Sequence, residues 1–380
     1  MSAAGRISSA HRLVVKVGSA LLCDADGKPR EEWLSSLAAD IAALRQKKIE
    51  IVVVTSGAIA LGRLRLALQG NLRLEEKQAA SAAGQVMLSQ VWQGAFDPHG
   101  IQVAQILLTL DDTENRRRYL NARNTFRTLL DNQALPLVNE NDTIATSEIR
   151  YGDNDRLAAH AAQLCEADTL VILSDVDGLY TSDPNTDSAA TLIPVVKKIT
   201  PEIEALATGP NPKAGVGSGG MSSKIAAAKI AGRNGCATII AQGRKKNPLA
   251  ALLGGAAATL IEPSSSPENA RRQWIAGRLQ PMGEIRLDAG AVAALRAGKS
   301  LLPAGVTEAV GNFTRGDAVS LADTAGRVIA QGLAAWSVEE INKIAGLKSD
   351  EIEKKLGYKR RPAIVEKNDL VLMEQDRKDA

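Results

Sequence analysis

The sequence has no run of about 18 uncharged apolar residues, the length a membrane-spanning helix needs. Its opening residues, 1–12, are polar and lack the apolar stretch of a secretory signal, so a cytoplasmic location is expected. Cysteine is scarce: Cys23, Cys165 and Cys236 are odd in number and far apart. That excludes reading a disulfide framework or a zinc motif from their spacing. They are expected to be small buried hydrophobes with free thiols. Histidine is as rare, and His11, His99 and His160 have no partners at metal-ligand spacing. Aromatic residues make up 3% of the chain, too few for a broad surface that stacks on bases. An excess of one charge is missing too. With 46 Lys plus Arg against 43 Asp plus Glu, the net charge is +3, which argues against a nucleic-acid coat or a polybasic membrane protein. There is also no G-x-x-x-x-G-K-[ST] phosphate loop, no G-x-S-x-G elbow and no hydrolase-like Ser/His/Asp set.

What is there is an ordinary globular composition, 45% hydrophobic and 23% charged, over 380 residues. That length predicts two or three domains at about 100–200 residues each. In the first two-thirds, short Val/Ile/Leu runs alternate with Ala-rich segments. The runs are Leu13–Val17, Ile51–Thr55, Gln102–Leu108, Leu135–Asn139, Leu170–Leu173 and Thr238–Ala241. Each is apolar on consecutive residues, as in strands covered on both faces. Segments such as Trp33–Lys48 and Arg156–Cys165 carry helical spacing. The fold class expected is therefore α/β, a three-layer sandwich around a mainly parallel sheet. Near Pro263-Ser-Ser-Ser-Pro267 the character changes. Beyond it runs are shorter and glycines frequent, with Gly283–Leu287 and Asp317–Leu321 reading as strands of a small β-rich domain.

Polar and small residues recur where the apolar runs stop. Lys16-Val17-Gly18-Ser19 follows the first, Thr55-Ser56-Gly57-Ala58 the second, Asn139-Glu140-Asn141-Asp142 the fourth and Ser174-Asp175 the fifth. In an open α/β sheet, ligands bind beyond the carboxyl ends of the strands. Glycine there lets backbone approach a phosphate, and a following helix offers free N–H groups. Lys16 falls within a buried run, where a lysine is costly unless paired or aimed at a ligand. It is either an edge-strand residue reaching water or a cation facing phosphate. Lys224 follows the glycine-rich Gly215-Val-Gly-Ser-Gly-Gly-Met-Ser-Ser. Gly215, Gly217 and Gly220 fit G-x-G-x-x-G formally, but no strand enters the motif and no ribose-binding acid follows. What remains is a loop that can cover phosphates, or a plain connecting loop. The acidic stretch Gly152-Asp153-Asn154-Asp155 supplies carboxylate and amide groups, although Asp155 alone could cap the next helix. Two lysines, glycine turns, carboxylates and carboxamides form the set that phosphoryl transfer needs.

In order and spacing, several motifs resemble those of the glutamate 5-kinases of the amino acid kinase family. They are Val15-Lys16-Val17-Gly18-Ser19, Val54-Thr55-Ser56-Gly57-Ala58-Ile59, Asn139-Glu140-Asn141-Asp142, Gly152-Asp153-Asn154-Asp155, Asp175-x-x-Gly178-Leu179-Tyr180 and Gly219-Gly220-Met221-Ser222-Ser223-Lys224. The resemblance divides the chain into a kinase domain at residues 10–262, a linker at 263–280, a PUA domain at 281–359 and a charged tail at 360–380, the tail expected to be partly disordered. Gly311-Asn312-Phe313-Thr314-Arg315-Gly316-Asp317 carries the PUA likeness.

The resemblance implies the amino acid kinase fold, ATP with Mg²⁺, and L-glutamate phosphorylated on its γ-carboxylate as the first step of proline biosynthesis. By position, the catalytic set is Lys16, Lys224 and Asp155. Lys16 is similar to the lysine on the ATP phosphates, Lys224 to its counterpart near the leaving oxygen, and Asp155 to the aspartate that orients both. Ser56, Asp142 and Asn154 match the residues that hold glutamate. Lys16, Ser174, Asp175, Ser218, Gly219, Gly220, Met221, Ser222, Ser223 and Lys224 match the ATP site. Ser218 stands where the family has threonine, and a hydroxyl is kept. No protein ligand is assigned to Mg²⁺, which would be held by phosphates and water. The longer N-terminus is expected to be a disordered leader. The loop Thr143–Asp153 resembles the family segment where proline acts as feedback inhibitor. The family also implies a dimer or tetramer, and the PUA domain a possible RNA contact. The alternatives are a family member acting on another acid, carbamate or nucleotide, and an RNA-binding PUA protein.

Overall fold

The structure is a computed structural model. It describes residues 1–380 except 25, 110, 145–153, 185, 209–219, 267–280, 349–350, 359–361 and 374–380. The chain divides into two compact units, Met1–Pro267 and Glu268–Ala380.

The first unit is built on one eight-stranded sheet. Its strands are β1 (Arg12–Val17), β2 (Glu50–Val54), β3 (Val103–Leu108), β4 (Leu135–Glu140), β5 (Thr169–Ser174), β6 (Val195–Val196), β7 (Ala237–Gln242) and β8 (Ala258–Ile261), in the spatial order β3-β4-β2-β1-β5-β7-β8-β6. Strands β1 to β5 and β7 run parallel, and β8 turns antiparallel against β7. The apolar runs read from the sequence coincide with these strands to within a residue or so. Helices α1 (Glu31–Gln46), α2 (Ala58–Arg65), α3 (Leu74–Phe96), α4 (Arg116–Asp131), α5 (Asn154–Leu164) and α6 (Met221–Arg233) connect them. Every residue of β4 and β5 is buried, as expected of strands sandwiched between helices. Glu31 and Glu32 open α1 where the helix dipole favours negative charge.

Two features hold this unit together across long sequence distances. Trp33 of α1 donates its indole N–H to Gly243 O at 2.7 Å. Buried Asp40 accepts from Asn247 Nδ2 at 3.0 Å and from the backbone N–H groups of Leu249 and Ala250 at 2.9 and 3.1 Å. That carboxylate caps the helix Pro248–Leu253 from outside. Helices α2 and α3 cross in backbone contact. A Cβ on Gly62 would lie 1.7 Å from Ala80 O, and one on Gly84 would lie 1.8 Å from Ala58 O.

One expectation changes. The N-terminal residues are not a disordered leader: Ala3–Ser8 forms a helix, Ile7 is fully buried, and Arg6 donates to Asp168 O and Thr169 Oγ1. Ile7 and Ala10 join the core, and Arg6 ties the helix to the start of β5. Part of the charged tail is ordered. Ile364 and Val365 are fully buried and Leu370–Leu372 is a strand, because apolar residues are spaced among the charges.

The second unit carries a five-stranded sheet of β9 (Gly283–Leu287), β10 (Val306–Gly311), β11 (Ala318–Ala322), β12 (Val328–Leu333) and β13 (Leu370–Leu372), ordered β10-β9-β11-β12-β13. Its own core contains Phe313, Trp336, Ile341 and Ile364. Among the described residues, no helix is long and apolar enough to cross a membrane.

Candidate active site

Strand β1 occupies the middle of the sheet, with Lys16 in register with Val54 of β2 and Ile172 of β5. Lys16 is therefore no edge-strand residue reaching for water. It is 7% exposed, and its Nζ lies 2.5 Å from Asp155 Oδ1. Lys224, in the first turn of α6, reaches the other carboxylate oxygen, with Nζ 3.1 Å from Asp155 Oδ2. Asp155 is fully buried in the first turn of α5. It sits inside the helix rather than at the capping position, and its two oxygens face the two ammonium groups. Buried charges persist only when compensated in this way. The structure thus joins three residues from distant parts of the sequence at the carboxyl end of the central strand, where chain order in the sheet reverses.

Beside this trio lies a cavity of about 580 Å³, within the size range of small-ligand sites. Ser56, Asp142 and Asn154 all line it, together with Asn139 and Glu140 of β4. Asn154 donates to Thr55 O at 2.5 Å and to Asn139 Oδ1 at 3.0 Å. Asn139 in turn donates to Gln85 Oε1 at 2.9 Å. Ser81 donates to Asp142 Oδ2 at 3.0 Å. Trp92 donates to Thr55 Oγ1 at 3.1 Å. The turn after β2 needs glycine: Gly57 has φ +102°, and a Cβ there would meet Leu22 Cδ2 at 2.6 Å.

Ser174 ends β5 and donates to Asp175 Oδ1 at 3.0 Å, while Gln242 at the end of β7 donates to Asp175 O at 2.9 Å. Gly220 precedes α6 with no side-chain cap, and Met221, Ser222 and Ser223 form its first turn with Lys224. Uncapped N–H groups at a helix start suit an anion. Ser218 and Gly219, and Gly152 and Asp153, lie outside the described residues.

Sequence reasoning missed the wall supplied by the end of α2, the start of α3 and the loop between them. Arg63, Gly70, Asn71, Leu72 and Lys77 line the cavity. Lys77, Ser81 and Gln85 are spaced four apart, a polar stripe on an Ala-rich helix. That stripe was the available signal, and it reads equally as a solvated face.

The profile of the amino acid kinase family matches residues 11–242, and that of the PUA domain matches residues 283–356. A glutamate 5-kinase of Caulobacter vibrioides (strain NA1000 / CB15N) is 56% identical over 362 residues, 95% of this chain and 96% of that protein. A glutamate 5-kinase of Paramagnetospirillum magneticum is 52% identical over 367 residues, 96% of this chain and 99% of that protein. One of Agrobacterium fabrum is 53% identical over 367 residues, 96% of this chain and 94% of that protein. With the family profile covering more than half its length and such relatives matching it nearly end to end, the chain belongs to the amino acid kinase family, among its glutamate 5-kinases, and carries a C-terminal PUA domain.

Proposed function

We propose that this enzyme transfers the γ-phosphoryl group of ATP to the γ-carboxylate of L-glutamate, giving L-glutamyl 5-phosphate and ADP at the start of proline biosynthesis. The reading rests on the buried Lys16–Asp155–Lys224 trio beside the cavity lined by Ser56, Asp142 and Asn154. A carboxylate is already a nucleophile at neutral pH, so no strong general base is required. The barrier is electrostatic, because an anion must approach a polyanion. Lys16 offsets charge on the transferring group and Lys224 on the leaving side, while Asp155 positions both. The uncapped start of α6, Gly220 to Lys224, and Ser174 and Asp175 hold the nucleotide. Among the described residues no group of three or more His, Cys, Asp or Glu could hold a metal. We assign Mg²⁺ mainly to phosphate oxygens and water, where it would screen the triphosphate.

Residues 10–262 are the proposed catalytic domain and 281–359 the PUA domain. We assign feedback inhibition by proline to the segment 143–153, most of which lies outside the described residues. Proline shares the α-amino and α-carboxylate groups of glutamate but has no γ-carboxylate to phosphorylate. A homo-oligomer in the cytoplasm, and RNA contact through the PUA domain, complete the reading.

The test is glutamate-dependent ADP release, with hydroxylamine trapping the acyl phosphate as a hydroxamate. Trapped product with glutamate, and none with aspartate, carbamate, acetylglutamate or a nucleoside monophosphate, is expected. Preference for any of those acceptors would overturn the assignment. Initial rates over a grid of proline and glutamate should show inhibition that weakens as glutamate rises.

A further inference from the structure

We propose that Lys77 recognises the α-carboxylate of the amino-acid substrate, next to Asp142, which takes its α-ammonium. The inference rests on glutamate being the substrate.

Among the described residues, two carboxylates line the cavity, Glu140 and Asp142. Glutamate brings two more. Its γ-carboxylate must point toward Lys16 to receive the phosphoryl group. Its α-carboxylate then lies among Glu140 and Asp142 and needs a cation, or repulsion would exclude it. Among the described residues two cations line the cavity, Arg63 and Lys77. Arg63 is the more exposed of the two and is tethered to its own loop, donating from Nε to Leu68 O at 3.1 Å and from Nη2 to Gly70 O at 3.0 Å. It props up the wall formed by Gly70, Asn71 and Leu72. Lys77 is half-buried, and nothing among the described residues forms an ion pair with its ammonium. Its charge is available to a ligand.

The position of Lys77 matters as much as its charge. It lies one helical turn before Ser81 on α3, so both occupy one face. Ser81 holds the Asp142 carboxylate at 3.0 Å. One face of α3 thus presents a cation and, a turn away, anchors an anion. That pairing complements a zwitterionic amino-acid head group. It also sets direction, because only the end carrying both charges fits it, leaving the γ-carboxylate for the lysines at β1.

The experiment crosses protein variants with substrate analogues. Wild type, Lys77→Met and Lys77→Arg are assayed with glutamate and with 4-aminobutyrate, which lacks the α-carboxylate. The latter is measured as a substrate or as a competitive inhibitor. Lys77→Met should lower kcat/KM for glutamate by roughly 10- to 100-fold, mostly through KM, as expected for a lost hydrogen bond to a charged group. It should leave the constant for 4-aminobutyrate within about twofold, since that ligand offers Lys77 nothing to bind. Lys77→Arg should restore most of the glutamate affinity. Unchanged KM, or equal loss with both ligands, overturns the inference while leaving the kinase reading intact. Absence of glutamate turnover in wild type would instead overturn the function proposed above, and this inference with it.

Discussion

Asp155 carries a heavy electrostatic burden, because two buried lysines depend on it. Asp155→Asn keeps the shape and removes the charge. It should destabilise the fold by about 3–5 kcal/mol, the cost of leaving a buried ion pair broken. It should also lower kcat by about 10²–10³, comparable to losing a donor that stabilises developing charge. Denaturant melts and steady-state rates on the same sample check both, and a variant with normal stability would show that the lysines find other partners. The thiols support an opposite expectation, of inertness. Burial pushes Cys165 up to about 12 and Cys236 well above its usual range, and burial with the neighbouring Asp24 raises Cys23 to about 11. A raised thiol stays protonated, and the thiolate is the nucleophile. Native protein at pH 8 should therefore resist iodoacetamide, and unfolding should expose all three cysteines, as intact mass will report. Lys16 was legible because a charge inside an apolar strand is costly without a purpose, Lys224 because it follows a glycine-rich loop, and Asp155 through the Gly-Asp-Asn-Asp motif. Lys77, Ser81 and Gln85 were not, because polar residues four apart on a helix look the same whether they face water or a cavity.

Among the elements, the α2–α3 crossing decides which way that stripe faces. Gly62 and Gly84 let the two backbones touch, and a methyl group at either position would overlap a carbonyl oxygen of the other helix. Gly84→Ala should cost about 1–3 kcal/mol, typical of overpacking. Parting the helices would also draw Ser81 and Gln85 away from Asp142 and Asn139, so KM for glutamate should rise more than kcat falls. Equal loss in both would mean that the crossing merely stabilises the fold. The parallel strands were readable from their continuous apolar runs. Strands β6 and β8 were not. They hold two and four residues, too short for a periodic signal, and β8 reverses direction against β7. Their pairing is set by the edge of a sheet that already exists, which is information no local stretch of sequence contains.

The whole molecule is two units with separate cores, one around Leu13, Leu37 and Trp92 and the other around Phe313 and Trp336. A chain ending at residue 266 should fold, show one cooperative melt and keep glutamate-dependent turnover. Insoluble or inactive protein would place part of the catalytic core beyond the division. Within the first unit, Trp33 and Asp40 have another consequence, for how the protein is made. Their partners, Gly243, Asn247, Leu249 and Ala250, stand more than 200 residues later in the chain. At about 5–20 residues per second, a ribosome needs roughly 10–40 s to deliver them. Throughout that interval α1 can pack on β2 and α3 but cannot close its Trp33 and Asp40 contacts, and β1 waits for β5 to complete the middle of the sheet. The nascent chain must therefore hold an unsealed apolar surface until translation passes residue 250, and stalled chains shorter than that should remain protease-sensitive and bind chaperones that recognise exposed hydrophobic segments.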